Sequence, residues 1–260
     1  MDGPRACLED EFDEAISLIN SVFRADTDQD IRTDYPLVFN QSGLEYMRII
    51  RVDGRIVAHV PVSPREVYIG DDRFTVAVIS STLSPRFLPE MAKRLPPGTA
   101  LVDAPMSGAP ARAEDGTLTF MVGGNNEVVL DLMILFKIMG NDVHHLGSTG
   151  MGMTCKVINN FVSVTGFAAV RKALMAADIL GLQRQRLLKV MRSSSGSTWY
   201  GDNIDRISWA REGYDAANTI GILEKDMLSF LDAISGYEDI EVENLARSVL
   251  DVVRAVEPLE

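Results

Sequence analysis

Proline divides this chain. Ten of its eleven prolines lie within the first 110 residues, and none occurs between Pro110 and Pro258. Proline removes a backbone donor and clashes with the turn before it. The later stretch is therefore free to be helical over most of its length, whereas the earlier one must be built from short elements and turns. With 260 residues, 46% of them apolar and 24% charged, the chain has material for one large domain or two ordinary ones.

The first third reads as a helix followed by hairpins. From Glu11 to Phe23, the residues Phe12, Ala15, Ile16, Ile19 and Phe23 recur on one face at helical spacing. YMRIIRV-DG-RIVAHV then places Asp53-Gly54 between two strand-like runs, and this pair suits the positive φ of a two-residue turn. EVYI-GDD-RFTVAVIS repeats the pattern and ends in the apolar run Val76 to Ile79. Residues 1–80 are expected to form one helix on a small meandering sheet.

From residue 82 the pattern changes. STLSPRFLPEMAKRL reads as a loop entering a short helix, TALVDAP as a buried strand, and TLTFMVGG as a second strand closed by glycines. Glu127 to Met139 is expected as a helix and DVHHLG as a third strand. A long apolar helix should follow from Met151 to Leu180, then helices near 184–191, 204–209, 223–235 and 241–256. The fold class is thus α/β followed by all-α: a small mixed sheet with flanking helices, then a helical domain. No internal repeat or low-complexity linker is present.

Charge and cysteine use narrow the partners. The formal net charge of -12 disfavours a phosphate-neutralising duplex binder and attraction to anionic membranes. Cys7 and Cys155 form no CxxC and read as free thiols of a reducing compartment. The acidic N-terminus has no apolar signal core and no run of 18 apolar residues exists, so a cytoplasmic protein is expected. His144-His145 is adjacent within a strand, so its rings point to opposite faces and no metal site is expected. His59, between Ala58 and Val60, reads as a packed strand residue.

Three pieces carry chemistry. DAPMSGA ends a strand and opens into Ser107-Gly108, a small-residue loop whose N–H groups and hydroxyl suit a carboxylate; the alternative is an ordinary strand-to-loop turn. GSTGMGMTCKVINNF puts Lys156 and Asn160 four apart on one helical face in apolar surroundings. Desolvation there disfavours an ammonium and brings the group toward proton transfer, whereas a surface lysine would snorkel. Gly150-x-Gly152 is no dinucleotide fingerprint, because Cys155 stands at the third glycine. Lys225-Asp226, expected at a helix start, is by itself a solvated charge pair.

In the order STLSP, DAPMSGA…DGTL…MVGG, GMGxxxKxxNN and KDM, residues 82–260 resemble the β-hydroxyacid dehydrogenase family. That family includes 3-hydroxyisobutyrate dehydrogenases and has a 6-phosphogluconate dehydrogenase-like helical domain. The resemblance implies NAD or NADP as cofactor, a small carboxylate substrate and homo-oligomers formed through the helical domain. It makes Lys156 the acid/base, Asn160 its substrate-orienting partner, and Ser107, Gly108 and Ala109 the carboxylate loop. Thr82 and Lys225 become cofactor contacts. Ala109 departs from the family, which usually has a second glycine there. So does the absence of G-x-G-x-x-G, the loop that holds a pyrophosphate on a helix N-terminus.

Residues 4–80 instead resemble the N-terminal half of a GNAT-superfamily acetyltransferase, through RACLEDEFDEAISLINSVFR, DYPLVF and the two hairpins, without the acetyl-CoA loop. The expected organisation is 1–81 GNAT-like, 82–148 a remnant of the dinucleotide-binding domain with the substrate loop, and 149–260 helical. At the junction near Ser80-Ser81, VAVIS is expected to replace the dehydrogenase strand that precedes STLSP, beside the strand at Ala100–Asp103. Two other readings remain: an N-acetyltransferase, and a non-catalytic fusion that dimerises.

Overall fold

The structure is a computed structural model that describes residues 2–23, 30–34, 36, 39–61, 67–69, 72–74, 76–216, 218–237 and 240–259. Two compact units emerge, Met1–Tyr68 and Ile69–Glu260.

In the first unit, β1 (Asp2–Ala6), β2 (Met47–Val52) and β3 (Arg55–Pro61) form an antiparallel sheet in the order β1-β2-β3. Helix α1 (Phe12–Phe23) and the single turn α2 (Ile31–Asp34) lie between β1 and β2 in sequence. The stripe read from sequence packs inward: Phe12, Ala15, Ile16 and Ile19 share a core with Met47, Ile49 and Ile56. The Asp53-Gly54 turn has φ values of 50° and 78°, so both residues are left-handed as a two-residue hairpin requires. Strand β1 was not legible in the sequence; DGPRA has no alternation and pairs only because β2 offers it an edge. His59 lies opposite Ile49 in β3, and its side chain is outside the described residues.

β4 (Val67–Ile69) and β5 (Asp72–Phe74) form a two-stranded sheet; the expected turn between them falls on residues 70 and 71, which lie outside the described residues. β6 (Val76–Ile79) does not continue that hairpin. It pairs in parallel with β7 (Ala100–Asp103), from Val76 opposite Ala100 to Ile79 opposite Asp103. That places VAVI beside the dehydrogenase-like strand, and the division in contacts falls between Tyr68 and Ile69 rather than at Ser80-Ser81. Between β6 and β7 the chain makes a 3-10 turn at Pro85–Phe87, capped by the Ser84 hydroxyl, and then α3 (Leu88–Lys93).

A further sheet has the order β10-β9-β8. β9 (Leu118–Val122) pairs antiparallel with β8 (Met106–Ser107) and parallel with β10 (Gly140–His145). A bridge between Asp103 and Gly123 joins β7 to the end of β9. Helix α4 (Ala109–Glu114) follows β8, and α5 (Asn126–Met139), capped by the Asn125 side chain, packs Val129, Leu132 and Phe136 onto Phe120 and Val122.

From Met151 on, the proline-free stretch is helical: α6 (Met151–Ile179), α7 (Arg184–Met191), α8 (Trp199–Asn203), α9 (Thr219–Ile234) and α10 (Ile240–Arg254). The helix expected at 204–209 is absent. The helical turn falls earlier, at Trp199–Asn203, where the Thr198 hydroxyl accepts from Gly201 N at 3.0 Å and fixes the start. The core joins Val157, Val164, Phe167 and Leu174 of α6 to Ile220, Met227 and Phe230 of α9 and to Val249 and Val253 of α10. Each such buried side chain contributes about 1.5–3 kcal/mol from the area it removes from water. Buried Arg171 donates to the carbonyls of Ala210, Glu212 and Glu257, tying the chain end to the middle of α6. Among the described residues, no helix is long and apolar enough to cross a membrane.

Candidate active site

The site is organised by one carboxylate at the end of β7. Asp103 is fully buried; its Oδ1 accepts from Gly150 N and its Oδ2 from Met153 N, both at 2.6 Å. It thereby satisfies two donors at the start of α6 that the helix itself leaves unpaired. Gly150, with φ of 100°, makes the turn into the helix. Gly152 lets the helix touch the sheet: a Cβ there would stand 2.4 Å from Met121 O and 2.8 Å from Asp103 O. Gly152 thus serves a close helix–sheet approach, and Gly150 the left-handed turn into the helix.

Lys156 follows within the next turn of α6 and is 8% exposed. Burial pushes its ammonium below the ordinary lysine value; the Asp226 carboxylate opposes that shift, and Lys225 adds to it. This is a buried lysine and not a snorkelling one. Asn160, also buried, donates from Nδ2 to Asp226 Oδ2 at 2.7 Å. Lys225 Nζ lies 2.7 Å from Asp226 Oδ1 as an ion pair off the hydrogen-bonding direction, and it donates to the Thr82 carbonyl at 3.2 Å. Three of the residues singled out in the sequence, Lys156, Asn160 and Lys225, therefore interact with Asp226, and a fourth, Thr82, meets Lys225.

Of the pair Lys225-Asp226, the sequence reading gave a site role only to Lys225. Lys225 and Asp226 are not at a helix start but well inside α9, which begins at Thr219. The available signal was a carboxylate among the buried positions Ile220, Met227 and Phe230, where a solvated charge has no place.

Ser107, Gly108 and Ala109 form the exit from β8 into α4. Ser107 pairs with Thr119 of β9, and Gly108 has φ of 150°. Ala109 has φ of 57°, so an alanine is held where glycine is the unstrained choice, which gives a physical sense to the departure seen in the sequence. Among the described hydrogen bonds and ion pairs, none joins this loop directly to Lys156 or Asn160; both elements border β9 and the β7 end. His145 Nε2 is 3.1 Å from Gly124 O and 3.0 Å from Gly147 O, and His144 is exposed. Among the described residues, no three His, Cys, Asp or Glu side chains are grouped to hold a metal.

Two family models match the chain in succession. Residues 52–147 match the NAD-binding domain of 6-phosphogluconate dehydrogenase, and residues 150–256 match the NAD-binding domain of NADP-dependent 3-hydroxyisobutyrate dehydrogenase. Over these two stretches the chain is similar to dehydrogenases of the 6-phosphogluconate and 3-hydroxyisobutyrate type. The first match begins at Val52, upstream of the motifs that carry the resemblance in the sequence. Among curated relatives, the mitochondrial 3-hydroxyisobutyrate dehydrogenase of Bos taurus is 31% identical over 174 residues, 63% of this chain and 52% of that protein. The NAD-dependent L-serine dehydrogenase of Pseudomonas aeruginosa is 32% identical over 154 residues, 55% of this chain and 52% of that protein. The chain thus spans about half the length of the curated relatives it matches. A solved Mycobacterium tuberculosis 3-hydroxyisobutyrate dehydrogenase with L-serine shares the fold, with a TM-score of 0.56 and 24% identity over 70% of this chain and 67% of that one. Both matching models are described as NAD-binding, so the cofactor class is NAD or NADP.

Proposed function

We propose that the protein is an NAD(P)-dependent oxidoreductase acting on a small β-hydroxy acid. The observation that carries this reading is Lys156: a buried amine with a depressed pKa, one helical turn before an asparagine held by a carboxylate. As the free amine, Lys156 Nζ accepts the substrate hydroxyl proton while hydride leaves the same carbon; in the reverse direction its ammonium donates that proton. Asn160 orients the hydroxyl. Ser107, Gly108 and Ala109 supply the loop for the substrate carboxylate, away from the reacting carbon. The bound nicotinamide supplies the hydride acceptor or donor.

The residues present fit the nicotinamide end of such a cofactor. Thr82 and Lys225 are in contact with each other, and the Lys225 side chain is half exposed, with its charge only partly used by Asp226. At the pyrophosphate end the sequence offers no glycine-rich turn opening a helix. The expected result is weakened cofactor affinity and impaired turnover. For residues 4–80, the observed order β1-α1-α2-β2-β3 favours a GNAT-like origin, whereas the match to the NAD-binding model already begins at residue 52. The two free cysteines support a cytoplasmic location. Exposed Ile158, Val162, Met175 and Ile179 along α6 favour self-association through the helical domain, and the acidic surface argues against nucleic-acid and membrane partners.

The test is calorimetric titration with NADH, NADPH and acetyl-CoA. It is followed by nicotinamide absorbance assays on 3-hydroxyisobutyrate, L-serine and 2-(hydroxymethyl)glutarate, the hydroxy acids for which relatives are named. Nicotinamide binding with Lys156-dependent turnover supports the reading. Acetyl-CoA binding alone, or no binding to any of the three, overturns it.

A further inference from the structure

Asp226 has no role in the reaction as written above, yet it is the point where the site converges. Its carboxylate is buried in the middle of α9, Oδ2 against Asn160 Nδ2 and Oδ1 against Lys225 Nζ. Lys225 in turn reaches the Thr82 carbonyl at the exit of β6. A chain of contacts thus runs from Thr82 through Lys225 and Asp226 to Asn160, one turn beyond Lys156.

The chemistry of the pair gives it direction. An ionised carboxylate accepts hydrogen bonds and donates none, so the end of the Asn160 amide that meets Asp226 is the NH2 end. An amide without such a neighbour has two ends of nearly equal shape and opposite hydrogen-bonding sense. With Asp226 on its Nδ2, the Asn160 amide presents its remaining N–H and its carbonyl oxygen, which also accepts from Asn159 Nδ2 at 3.4 Å, in one fixed order. We propose that Asp226 is a positioning residue that fixes the amide sense of Asn160 and, through Lys225, links that setting to the Thr82 loop. This inference rests on the reading of Lys156 and Asn160 as the substrate-facing pair.

Three groups act electrostatically on Lys156: Asp226 and Lys225 from α9, and Cys155 from α6 itself. Of these, Asp226 most strongly sustains the ammonium, so its removal is expected to carry Lys156 further down. The two roles separate in a pair of variants. Asp226→Ala removes both the acceptor for Asn160 and the charge; Asp226→Asn removes the charge but keeps an acceptor of the same shape.

Two readouts on the full chain need neither cofactor nor turnover. One is the pH of half-maximal acetylation of Lys156 by acetic anhydride, followed by peptide mass spectrometry. The other is hydrogen exchange of the Asn160 side-chain amide by NMR, assigned by its loss in Asn160→Asp. Asp226→Ala is expected to lower the Lys156 midpoint by about one pH unit or more and to speed Asn160 exchange about tenfold. Asp226→Asn is expected to lower the midpoint similarly while restoring slow exchange. Unchanged midpoint and exchange in folded Asp226→Ala, or wild-type behaviour of Asp226→Asn in both readouts, overturns the proposal. If the alanine variant does not fold, the asparagine variant decides alone. These outcomes are separable from the proposed reaction: the split between variants can hold in a chain that turns nothing over, and turnover can occur without the split.

Discussion

Two buried charge clusters, one in each unit, are built on opposite plans. In the first unit Glu11 is closed on every side. Arg5 grips both its oxygens at 2.7 Å, Arg51 Nη1 adds a contact at 2.8 Å and Leu8 N another at 2.9 Å. These bonds, with that to Arg5 foremost, hold its carboxyl down at about 2. In the second unit Lys156 is pushed the other way by burial, with Asp226 acting on it across space and no comparable grip. A group whose charged form is fully bonded has been fixed; a group whose charged form is penalised is ready to change state. The contrast separates a structural ion cluster from a candidate reactive centre more sharply than residue type does.

The strongest way to break the comparison is at Lys156. Lys156→Met is expected to lower turnover on the order of 100- to 10,000-fold, read by nicotinamide absorbance. It is also expected to leave stability unchanged or raised at neutral pH. In the fold Lys156 binds its proton less readily than at its ordinary 10.5. Within the window between its folded value and 10.5 the unfolded chain therefore holds more proton, stability rises with pH, and below that window the full penalty applies. A large drop in Tm for Lys156→Met would make the lysine structural.

Gly152→Ala tests the frame that carries it. A methyl group 2.4 Å from Met121 O forces α6 off the sheet, with an expected loss of about 3 kcal/mol in denaturant unfolding of the second unit.

Glu11→Gln addresses the closed cluster and is expected to cost the first unit about 2 kcal/mol, read by hydrogen exchange in β2 and β3. Because the folded carboxyl is depressed from 4.5 to about 2, its contribution is complete above 4.5 and disappears as pH falls from there through about 2. Acid should therefore loosen β2 and β3 in wild type across that window, and the variant should lack this dependence.

The smallest effect is expected at Ala109→Gly. Relief of a left-handed alanine outweighs the added chain entropy by about 0.5 kcal/mol, measured as a small rise in the denaturant midpoint.

Legibility followed the size and periodicity of each element. α1, α5 and α6 were readable because apolar residues recur at helical spacing over three or more turns, and β7 and β9 because short apolar runs end at proline or glycine. β1, β8 and α4 were not, since their conformation comes from neighbours: β8 is two residues paired with β9, and α4 opens on the left-handed Ala109. Lys156 and Asn160 were legible as a pair because four residues is one helical turn. Asp226 was not, because its partner is 66 residues away and nothing in local spacing announces a carboxylate turned inward.

The Asp103 clasp on Gly150 and Met153 has one more consequence. It sets the phase of α6. A helix advances about 100° per residue, so a start displaced by a single position would swing Lys156 and Asn160 a quarter-turn or more from the groups that face them. The strand end therefore acts as an index mark for the helix, and the direction in which the lysine points is decided before the helix has completed its first turn.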